Sequence, residues 1–154
     1  MQPTLKIRKA TLGDAAVIAE FNTLLARETE ELQLEPATIN AGVAAVLSDS
    51  SKGIYFVAED AQAGIIGQLM ITYEWSDWRN ATIWWIQSVY VREDFRGRGV
   101  FKALFEYLTR LAHEAKDVCS LRLYMERDNE AARQSYRKLG MKEMSYEVLE
   151  FVIE

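Results

Sequence analysis

The sequence predicts an α+β domain in which helices flank a mixed, mostly antiparallel sheet. Three observations support this fold class. Short β-rich runs alternate with segments of helical periodicity, two neighbouring runs are joined by a short turn, and one strand leads through a loop into a helix at the centre of the chain. The 154 residues suffice for one domain with its own core. Because no repeat or linker interrupts them, we expect residues 1–154 to form a single domain.

The first half of the chain is expected to form a short strand, two helices, a hairpin and a further strand. TLKIRK (residues 4–9) alternates as a strand does, and Thr11 with Asp14 has the spacing of a capping box at the start of a helix. A second helix is expected over about residues 38–47. The runs GIYFVAE and GIIGQLMITYEW, on either side of the turn-forming DAQAG, predict the hairpin, and ATIWWIQSVYV predicts the strand after it.

The second half is expected to add two helices and two strands. Residues 92–98 form a loop, and apolar residues at helical spacing follow from Val100 onward. SLRLYM alternates as a strand, and the helix predicted over residues 129–139 ends at Gly140, since glycine suits the position after a helix. MSYEVLEFVI (residues 144–153) predicts a last strand.

Composition and charge narrow the class of function. The net charge of −5 argues against binding to nucleic acid or to an anionic membrane, since both need a positive face. Cys119 is the only cysteine and His113 the only histidine, so we expect neither an intramolecular disulfide nor a metal site. The first residues carry no apolar signal segment and no apolar run is long enough to span a membrane, so we expect a cytoplasmic protein.

Basic residues concentrate in one place against this acidic background. Arg92, Arg96, Arg98 and Lys102 lie in or just after the loop that contains Arg-Gly-Arg-Gly. The first turn of a helix carries unpaired N–H groups and a partial positive charge, and glycines let an anion approach the backbone. The loop therefore predicts a phosphate site, although the residues alone leave a solvated basic loop equally open. Neither the Walker A loop nor the dinucleotide-binding glycine pattern is present.

Two segments together resemble the GNAT superfamily of acyl-CoA-dependent N-acetyltransferases. VYVREDFRGRGV resembles that family's Arg/Gln-x-x-Gly-x-Gly/Ala pattern, and NEAARQSYRKLGM carries its Asn-x-x-Ala-x-x-x-Tyr pattern followed by Gly. The matching residues are Arg96, Gly99, Asn129, Ala132, Tyr136 and Gly140. The spacing between the segments also fits, so the resemblance covers essentially the whole domain. The chain departs from the family at Phe101, where the pattern has Gly or Ala.

The resemblance implies a GNAT-like sheet with a V-shaped splay between strands, and acetyl-CoA as the co-substrate. In the family the pyrophosphate binds the loop and the first helical turn, and the pantetheine arm binds the open edge of the preceding strand. The residues implied for acetyl-CoA binding are Val89, Tyr90, Val91, Arg96, Gly97, Arg98, Gly99, Val100, Phe101, Lys102, Asn129, Ala132 and Tyr136. From the residues alone, Val89 and Val91 could be plain core of a strand, and Asn129 could be a helix cap.

The resemblance also implies an enzyme that transfers an acetyl group to a primary amine by direct attack. A backbone N–H near Val89 would stabilise the oxyanion, and the family uses a tyrosine at the position of Tyr136 as the acid for the departing thiolate. On the residues alone, Tyr136 could instead be an aromatic side chain packed on the sheet. The candidates for general base are Glu74, Glu28 and Glu31, with a water relay as the alternative.

The acceptor is expected to be a small molecule, and a cationic amine rather than an acidic one. Glu28, Glu30, Glu31 and Glu35 crowd the end of the first predicted helix, where the family forms one wall of the acceptor site. Glu28 and Glu31 would share a helix face at i, i+3 spacing, although a solvated helix end fits the same residues. A non-catalytic acyl-CoA sensor on the same fold and an unrelated interaction domain are the alternatives. The sequence leaves open the identity of the acceptor and whether the chain forms a homodimer.

Overall fold

The computed structural model describes residues 5–154, in which five strands and four helices are present. The strands are β1 (Leu5–Lys9), β2 (Ile54–Asp60), β3 (Gly64–Ser76), β4 (Ala81–Val91) and β5 (Val118–Leu123). The helices are α1 (Ala15–Glu30), α2 (Pro36–Ser48), α3 (Val100–Ala115) and α4 (Glu130–Lys138), and single 3-10 turns at Leu12–Asp14 and Glu93–Phe95 lie ahead of α1 and α3. Every element predicted up to α4 is therefore present, and Thr4 of the first predicted strand lies outside the described residues. The chain forms two compact units, one that ends at Tyr124 and one over Met125–Glu154.

The first unit is built on a single sheet with the strand order β1-β2-β3-β4-β5. Strands β1 to β4 pair antiparallel with their neighbours, and β5 runs parallel to β4 because α3 carries the chain back across the sheet. The Asp60 carboxylate closes the predicted hairpin by accepting hydrogen bonds from the backbone N–H groups of Gln62 and Ala63. A mixed, mostly antiparallel sheet flanked by helices confirms the predicted fold class.

Helices cover both faces of this sheet. On one face, α1 and α2 pack on Tyr55 and Val57 of β2. On the other face, Tyr107 of α3 meets Phe56 edge to face, with ring centroids 5.8 Å apart. Because side chains alternate along a strand, neighbouring residues of β2 contribute to opposite layers of the core.

A capping box orders the 3-10 turn ahead of α1, and a side-chain cap determines where α2 begins. The Asp14 carboxylate accepts a hydrogen bond from the Thr11 N–H at 2.7 Å, as the capping box requires, and pairs with Arg8 at 2.8 Å. Hydrogen bonding from the Arg8 guanidinium lowers the pKa of Asp14 below its ordinary value. The Glu35 carboxylate accepts hydrogen bonds from N–H groups in the first turn of α2, so that helix begins at Pro36, slightly earlier than its periodicity predicts.

The second unit contains α4 and an irregular C-terminal segment. Gly140, after the helix, has a φ of 94°, which is the left-handed conformation expected at a helix end. The predicted last strand is wrong: residues 144–153 have no strand structure, and Leu149 is 94% exposed. Alternation of apolar residues produces a strand only where a neighbouring edge supplies the hydrogen bonds, and that condition is not visible in the local sequence.

Candidate functional site

The Arg-Gly-Arg-Gly loop lies between β4 and α3, as the sequence predicts. Gly97 and Gly99 have φ values of 75° and 78°, a left-handed backbone that glycine adopts without strain. Gly99 is the cap residue from which α3 begins, and a Cβ on either glycine would meet no atom within 4 Å. The loop is therefore unobstructed at both glycines, and the helix turn that follows it carries the N–H groups that can bind an anion.

The basic side chains of this region differ in whether a carboxylate already compensates their charge. Three of them form ion pairs: Arg92 with Asp94 at 2.8 Å, Arg96 with Glu28 at 2.9 Å, and Lys102 with Glu106 at 3.9 Å. Within residues 5–154, Arg98 forms no ion pair, and its guanidinium lies over the Phe95 ring at 5.3 Å from the centroid. Arg98 is therefore the basic side chain of the loop best placed to meet an external anion.

Arg96 ties the loop to β4 and to α1. Its Nε donates to the Val91 carbonyl at 2.8 Å, its Nη2 donates to Glu28 Oε1, and its guanidinium lies 5.3 Å from the centroid of the Tyr90 ring. The hydrogen bond from Arg96 lowers the pKa of Glu28, so this carboxylate stays ionised at neutral pH. Burial, reinforced by the adjacent Glu28 carboxylate, raises the pKa of the Tyr90 hydroxyl.

Strand β4 contains a β-bulge just before the loop. Ser88 and Val89 both lie opposite the single residue Leu69 of β3. Ser88 has a φ of 53°, in the left-handed region that residues other than glycine rarely adopt. The ladder between β4 and β5 ends at Ile86, so residues 87–91 have no strand on that side in the part of the chain that the structure describes. The bulge therefore marks the start of an open strand edge.

Three buried polar side chains, Asn22 of α1, Tyr55 of β2 and Gln68 of β3, lie beneath the bulge, and we call them the buried polar cluster. Gln68 Nε2 donates to the Ser88 carbonyl at 3.0 Å and to Asn22 Oδ1 at 3.2 Å. Asn22 Nδ2 donates to the Tyr55 hydroxyl at 3.2 Å, and the Ser88 side chain lies beside that hydroxyl. Burial raises the pKa of Tyr55. Sequence reasoning misses this cluster, although a glutamine within the apolar run IIGQLMI is a signal that could have found one member.

Strand β3 approaches α3 closely at Gly67. A Cβ on Gly67 would lie 2.9 Å from Val100 Cγ1 and 3.4 Å from the Tyr90 carbonyl oxygen. Val100 is buried in the first turn of α3. Because the residue at position 67 is glycine and has no side chain, the loop and α3 can lie this close to the sheet. A glycine inside a strand is visible in the sequence, but its neighbours are not.

Glu74 lies at the opposite end of β3 from Gly67. Its carboxylate accepts a hydrogen bond from Trp85 Nε1 at 3.0 Å and lies 3.8 Å from Arg122 Nη1. The Trp85 ring stacks on Tyr124 with ring centroids 4.5 Å apart. Glu74 thus joins β3 to β4 through a hydrogen bond and to β5 through an ion pair.

A sequence profile of the GNAT acetyltransferase family matches residues 18–141. The chain belongs to this family. No protein with a curated description matches the sequence significantly. Among solved structures, one described as a possible acetyltransferase from Clostridium difficile 630 is 39% identical, with a TM-score of 0.91 over 97% of this chain and 98% of that one.

Two solved structures with lower sequence identity to this chain are described as complexes with ligands. A predicted acetyltransferase from Clostridium acetobutylicum with acetyl-CoA is 18% identical, with a TM-score of 0.76 over 97% of this chain and 96% of that one. An aminoglycoside acetyltransferase from an uncultured soil metagenomic sample, in complex with sisomicin, is 14% identical, with a TM-score of 0.76 over 97% of both chains. At these identities the likeness shows the fold alone.

The second GNAT pattern lies in the second unit, on and just before α4. The Asn129 side chain accepts a hydrogen bond from the Ala132 N–H at 3.0 Å, which confirms the helix-cap interpretation of Asn129. Tyr136 lies in the last part of α4. Burial raises the pKa of its phenol, so Tyr136 is protonated at neutral pH.

The carboxylates expected along a GNAT acceptor wall have different surroundings. Glu31 follows the end of α1 with a left-handed φ of 52°, so Glu28 and Glu31 do not share a helix face as their spacing predicts. Glu28 pairs with Arg96, and Glu35 caps α2. Glu30 and Glu31 are exposed and form no ion pair with any other described residue. The left-handed residue that ends α1 is the reason why the spacing argument fails.

His113 and Cys119 are both exposed. Across residues 5–154, no group of three or more His, Cys, Asp or Glu side chains is arranged to hold a metal ion. None of the helices described has the length and apolar character needed to cross a bilayer.

Proposed function

We propose that the chain is an acetyl-CoA-dependent N-acetyltransferase that acts on a primary amine of a small molecule. The observation that carries this proposal is the strand–loop–helix unit from Ser88 to Val100. An open strand edge beside a bulge leads directly into a glycine loop at the start of α3. The edge suits an arm that carries amides, and the loop suits a pyrophosphate. Membership of the GNAT family supports both assignments.

The loop residues fit the acidic end of acetyl-CoA. The left-handed glycines leave space above the first turn of α3, and the charge of Arg98 is not compensated by a carboxylate among the described residues. Main-chain N–H groups from Arg98 to Phe101 would hold the pyrophosphate, and Arg98 would add charge-assisted hydrogen bonds. Arg96 would act indirectly, because its guanidinium already binds Glu28 and the Val91 carbonyl.

Acetyl-CoA supplies the activated acetyl thioester, and the chain supplies hydrogen-bond donors and a proton. A bulge leaves a backbone group of its strand outside the ladder, and we assign the Val89 N–H as the donor to the acetyl carbonyl oxygen. We assign Tyr136 as the acid that protonates the departing thiolate. A phenol carries its proton at neutral pH, as an acid for this step must, and burial of Tyr136 keeps it protonated.

Among the candidate bases, Glu28 is poorly suited because Arg96 lowers its pKa. Glu31 has no neighbouring group to orient it. Glu74 is five residues along β3 from Leu69, which lies opposite the bulge, so we propose that Glu74 takes the proton of the amine through a chain of several waters. Glu74→Gln should then lower kcat about tenfold while acetyl-CoA affinity stays constant. An unchanged kcat would show that Glu74 takes no part in removing the proton, and a water relay without Glu74 would be the remaining base.

We further propose that the acceptor is cationic. Glu30 and Glu31 place exposed negative charge at the end of α1, near Glu28 in the chain, and such a surface attracts cations. The double replacement Glu30→Gln with Glu31→Gln should raise KM for cationic amines alone, and high salt should reduce that rise. An equal change in KM for cationic and neutral amines would indicate that these residues belong to an ordinary solvated surface.

The decisive experiment measures acetyl-CoA binding by calorimetry and then thiol release from acetyl-CoA over a panel of amines. Wild-type protein should bind acetyl-CoA and release thiol only when an amine is present. Tyr136→Phe should lower kcat by roughly 10²-fold or more and leave acetyl-CoA affinity nearly unchanged. Tyr146→Phe, at an exposed position in the same unit, is the matched control and should keep wild-type kcat. Acetyl-CoA binding without thiol release for any amine would indicate a non-catalytic acyl-CoA sensor. A protein that does not bind acetyl-CoA would refute both the enzyme and the sensor.

A further inference from the structure

We propose that Asn22, Tyr55 and Gln68, the buried polar cluster, are positioning residues that hold the Ser88 bulge in the shape that aims the Val89 N–H at the acetyl group. This inference rests on the proposed function, because only a protein that binds an acyl thioester at β4 needs that N–H. It assigns part of the catalytic geometry to side chains from three other elements of the fold.

The peptide unit between Ser88 and Val89 connects the buried polar cluster to the Val89 N–H. A trans peptide is planar, so its C=O and N–H point in opposite directions, and no cis bond is present among the described residues. Gln68 Nε2 donates to the Ser88 carbonyl at 3.0 Å and so fixes one end of this plane. The direction of the Val89 N–H is fixed by the same hydrogen bond.

The cluster also fixes the orientation of the Gln68 amide. Gln68 Nε2 faces two oxygen acceptors, the Ser88 carbonyl and Asn22 Oδ1, so a reversed amide would place oxygen against oxygen. Asn22 is oriented in turn, because its Nδ2 donates to the Tyr55 hydroxyl. The Tyr55 hydroxyl therefore orients Asn22, and Asn22 orients Gln68. Gln68 in turn orients the peptide unit at the bulge.

Ser88 requires such support because its left-handed backbone is unfavourable for a residue with a Cβ. A glycine at this position of a bulge would need no help, as in bulges whose first residue is a left-handed glycine. At Ser88 the surroundings must hold the conformation. The hydrogen bond from Gln68 and the adjacent Tyr55 hydroxyl are the contacts that do so.

Stability alone does not account for Gln68. Its side chain is 0% exposed, and its Oε1 has no hydrogen-bond partner within the described part of the chain. A buried acceptor without a partner destabilises the folded state, whereas an apolar side chain of similar shape would avoid that cost. The hydrogen bond to the bulge therefore points to a role in geometry.

The test compares acetyl-CoA with CoA, which lacks the acetyl carbonyl. Gln68→Met keeps the length of the side chain and cannot donate a hydrogen bond. We expect kcat to fall about tenfold and acetyl-CoA to bind several-fold more weakly, while CoA binds as it does to the wild type. Tyr55→Phe removes one oxygen at the far end of the cluster, should lower kcat about threefold, and decides the matter if Gln68→Met does not fold. Arg8→Met, which removes another part-buried polar pair, is the control and should change stability alone.

A second background separates positioning from stabilisation. Gln68→Met is repeated in a protein that already carries Ser88→Gly, and its effect is measured against that parent. Because glycine adopts the left-handed bulge unaided, the loss of kcat caused by Gln68→Met should shrink to less than about threefold. A purely stabilising side chain would produce the same loss in both backgrounds.

The failures of the two proposals are distinguishable. Wild-type kcat and an unchanged preference for acetyl-CoA over CoA in both cluster variants would refute the positioning role and leave the proposed function intact. An equal loss in the two Ser88 backgrounds would refute it as well. Wild-type protein that binds neither acetyl-CoA nor CoA would overturn the proposed function itself, and the inference with it.

Discussion

The Arg-Gly-Arg-Gly loop and the Ser88 bulge both need left-handed backbone, and they obtain it by opposite means. In the loop, Gly97 and Gly99 supply it on an exposed surface where a Cβ would meet nothing. At the bulge, Ser88 keeps its side chain, and the buried polar cluster from three other elements holds it in place. The conformation of the loop depends on its own residues, whereas the conformation of the bulge depends on contacts with residues that are distant in sequence. The loop should therefore fail through changes in itself or its immediate supports, and the bulge through changes elsewhere in the fold.

The largest effect is expected from Gly99→Val in the loop. Valine at a φ of 78° is strained whatever the space around it, so the first turn of α3 must change shape. Acetyl-CoA affinity measured by calorimetry should fall about tenfold or more. Gly64→Val, at a φ of 77° in the hairpin between β2 and β3, is the matched control, with similar strain and unchanged affinity. Normal binding by Gly99→Val would show that the loop is not the pyrophosphate site.

Gly67→Ala tests whether a residue far from the loop in sequence controls it through contact. The new Cβ, 2.9 Å from Val100 Cγ1, would push the first turn of α3 from the sheet. We expect acetyl-CoA affinity to fall about fivefold, together with a loss of about 1–3 kcal/mol in the free energy of unfolding. Gly53→Ala places a Cβ 2.6 Å from the Ile71 carbonyl oxygen and should cost stability without affecting affinity. Parallel losses of affinity in both variants would mean that general destabilisation is responsible.

Glu28→Gln tests the ion pair that ties the loop to α1. Removal of the carboxylate leaves the charge of Arg96 uncompensated, so acetyl-CoA should bind about threefold more tightly, and less so at high salt. Glu30→Gln, two positions along α1, removes the same charge without a pair and should have a smaller effect. Because the pKa of Glu28 is lowered, its ion pair is present above the ordinary pKa of about 4.3 and is lost as the pH falls through the lower value in the folded state. The variant and the wild type should therefore converge in affinity in acid, and a difference that persists there would contradict the pair as its cause.

Phe101→Ala is expected to have the smallest effect. The Phe101 ring lies 6.1 Å from the Phe105 ring on the same helix, and alanine at this position keeps the backbone N–H. Acetyl-CoA affinity should stay within about twofold of the wild type or improve slightly. A tenfold loss in calorimetry would instead make this ring a contact of the ligand, and the departure from the family pattern would then be functional.

Elements whose signal is local could be predicted from the sequence. The hairpin strands β2 and β3, strand β4 and the stripe of α3 lie where alternation and helical spacing place them. Gly140 has the positive φ that its position after a helix predicts. The strand expected over residues 144–153 has the same kind of alternation, yet it is not a strand, because a strand depends on a partner that is distant in sequence.

The same distinction between local signals and contacts distant in sequence applies to the candidate site. The Arg-Gly-Arg-Gly loop, Asn129 and Tyr136 belong to short patterns that can be recognised in order along the chain. The bulge at Ser88, the ion pair between Arg96 and Glu28, and the role of Gly67 each join residues that are far apart in sequence. The expectation that Glu28 and Glu31 share a helix face is wrong because the helix ends between them.

By itself, the sequence determined the fold class, the place of the Arg-Gly-Arg-Gly loop between a strand and a helix, and the family to which the chain belongs. These properties depend on periodicity, on glycine and on short motifs, all of which act over a few neighbouring residues. Only the tertiary structure decided which arginine is left uncompensated, which strand carries the bulge and which side chains hold it. Hydrogen bonds and ion pairs such as Gln68 to Ser88 and Arg96 to Glu28 form only after the sheet and helices bring distant residues within 3 Å or less of each other.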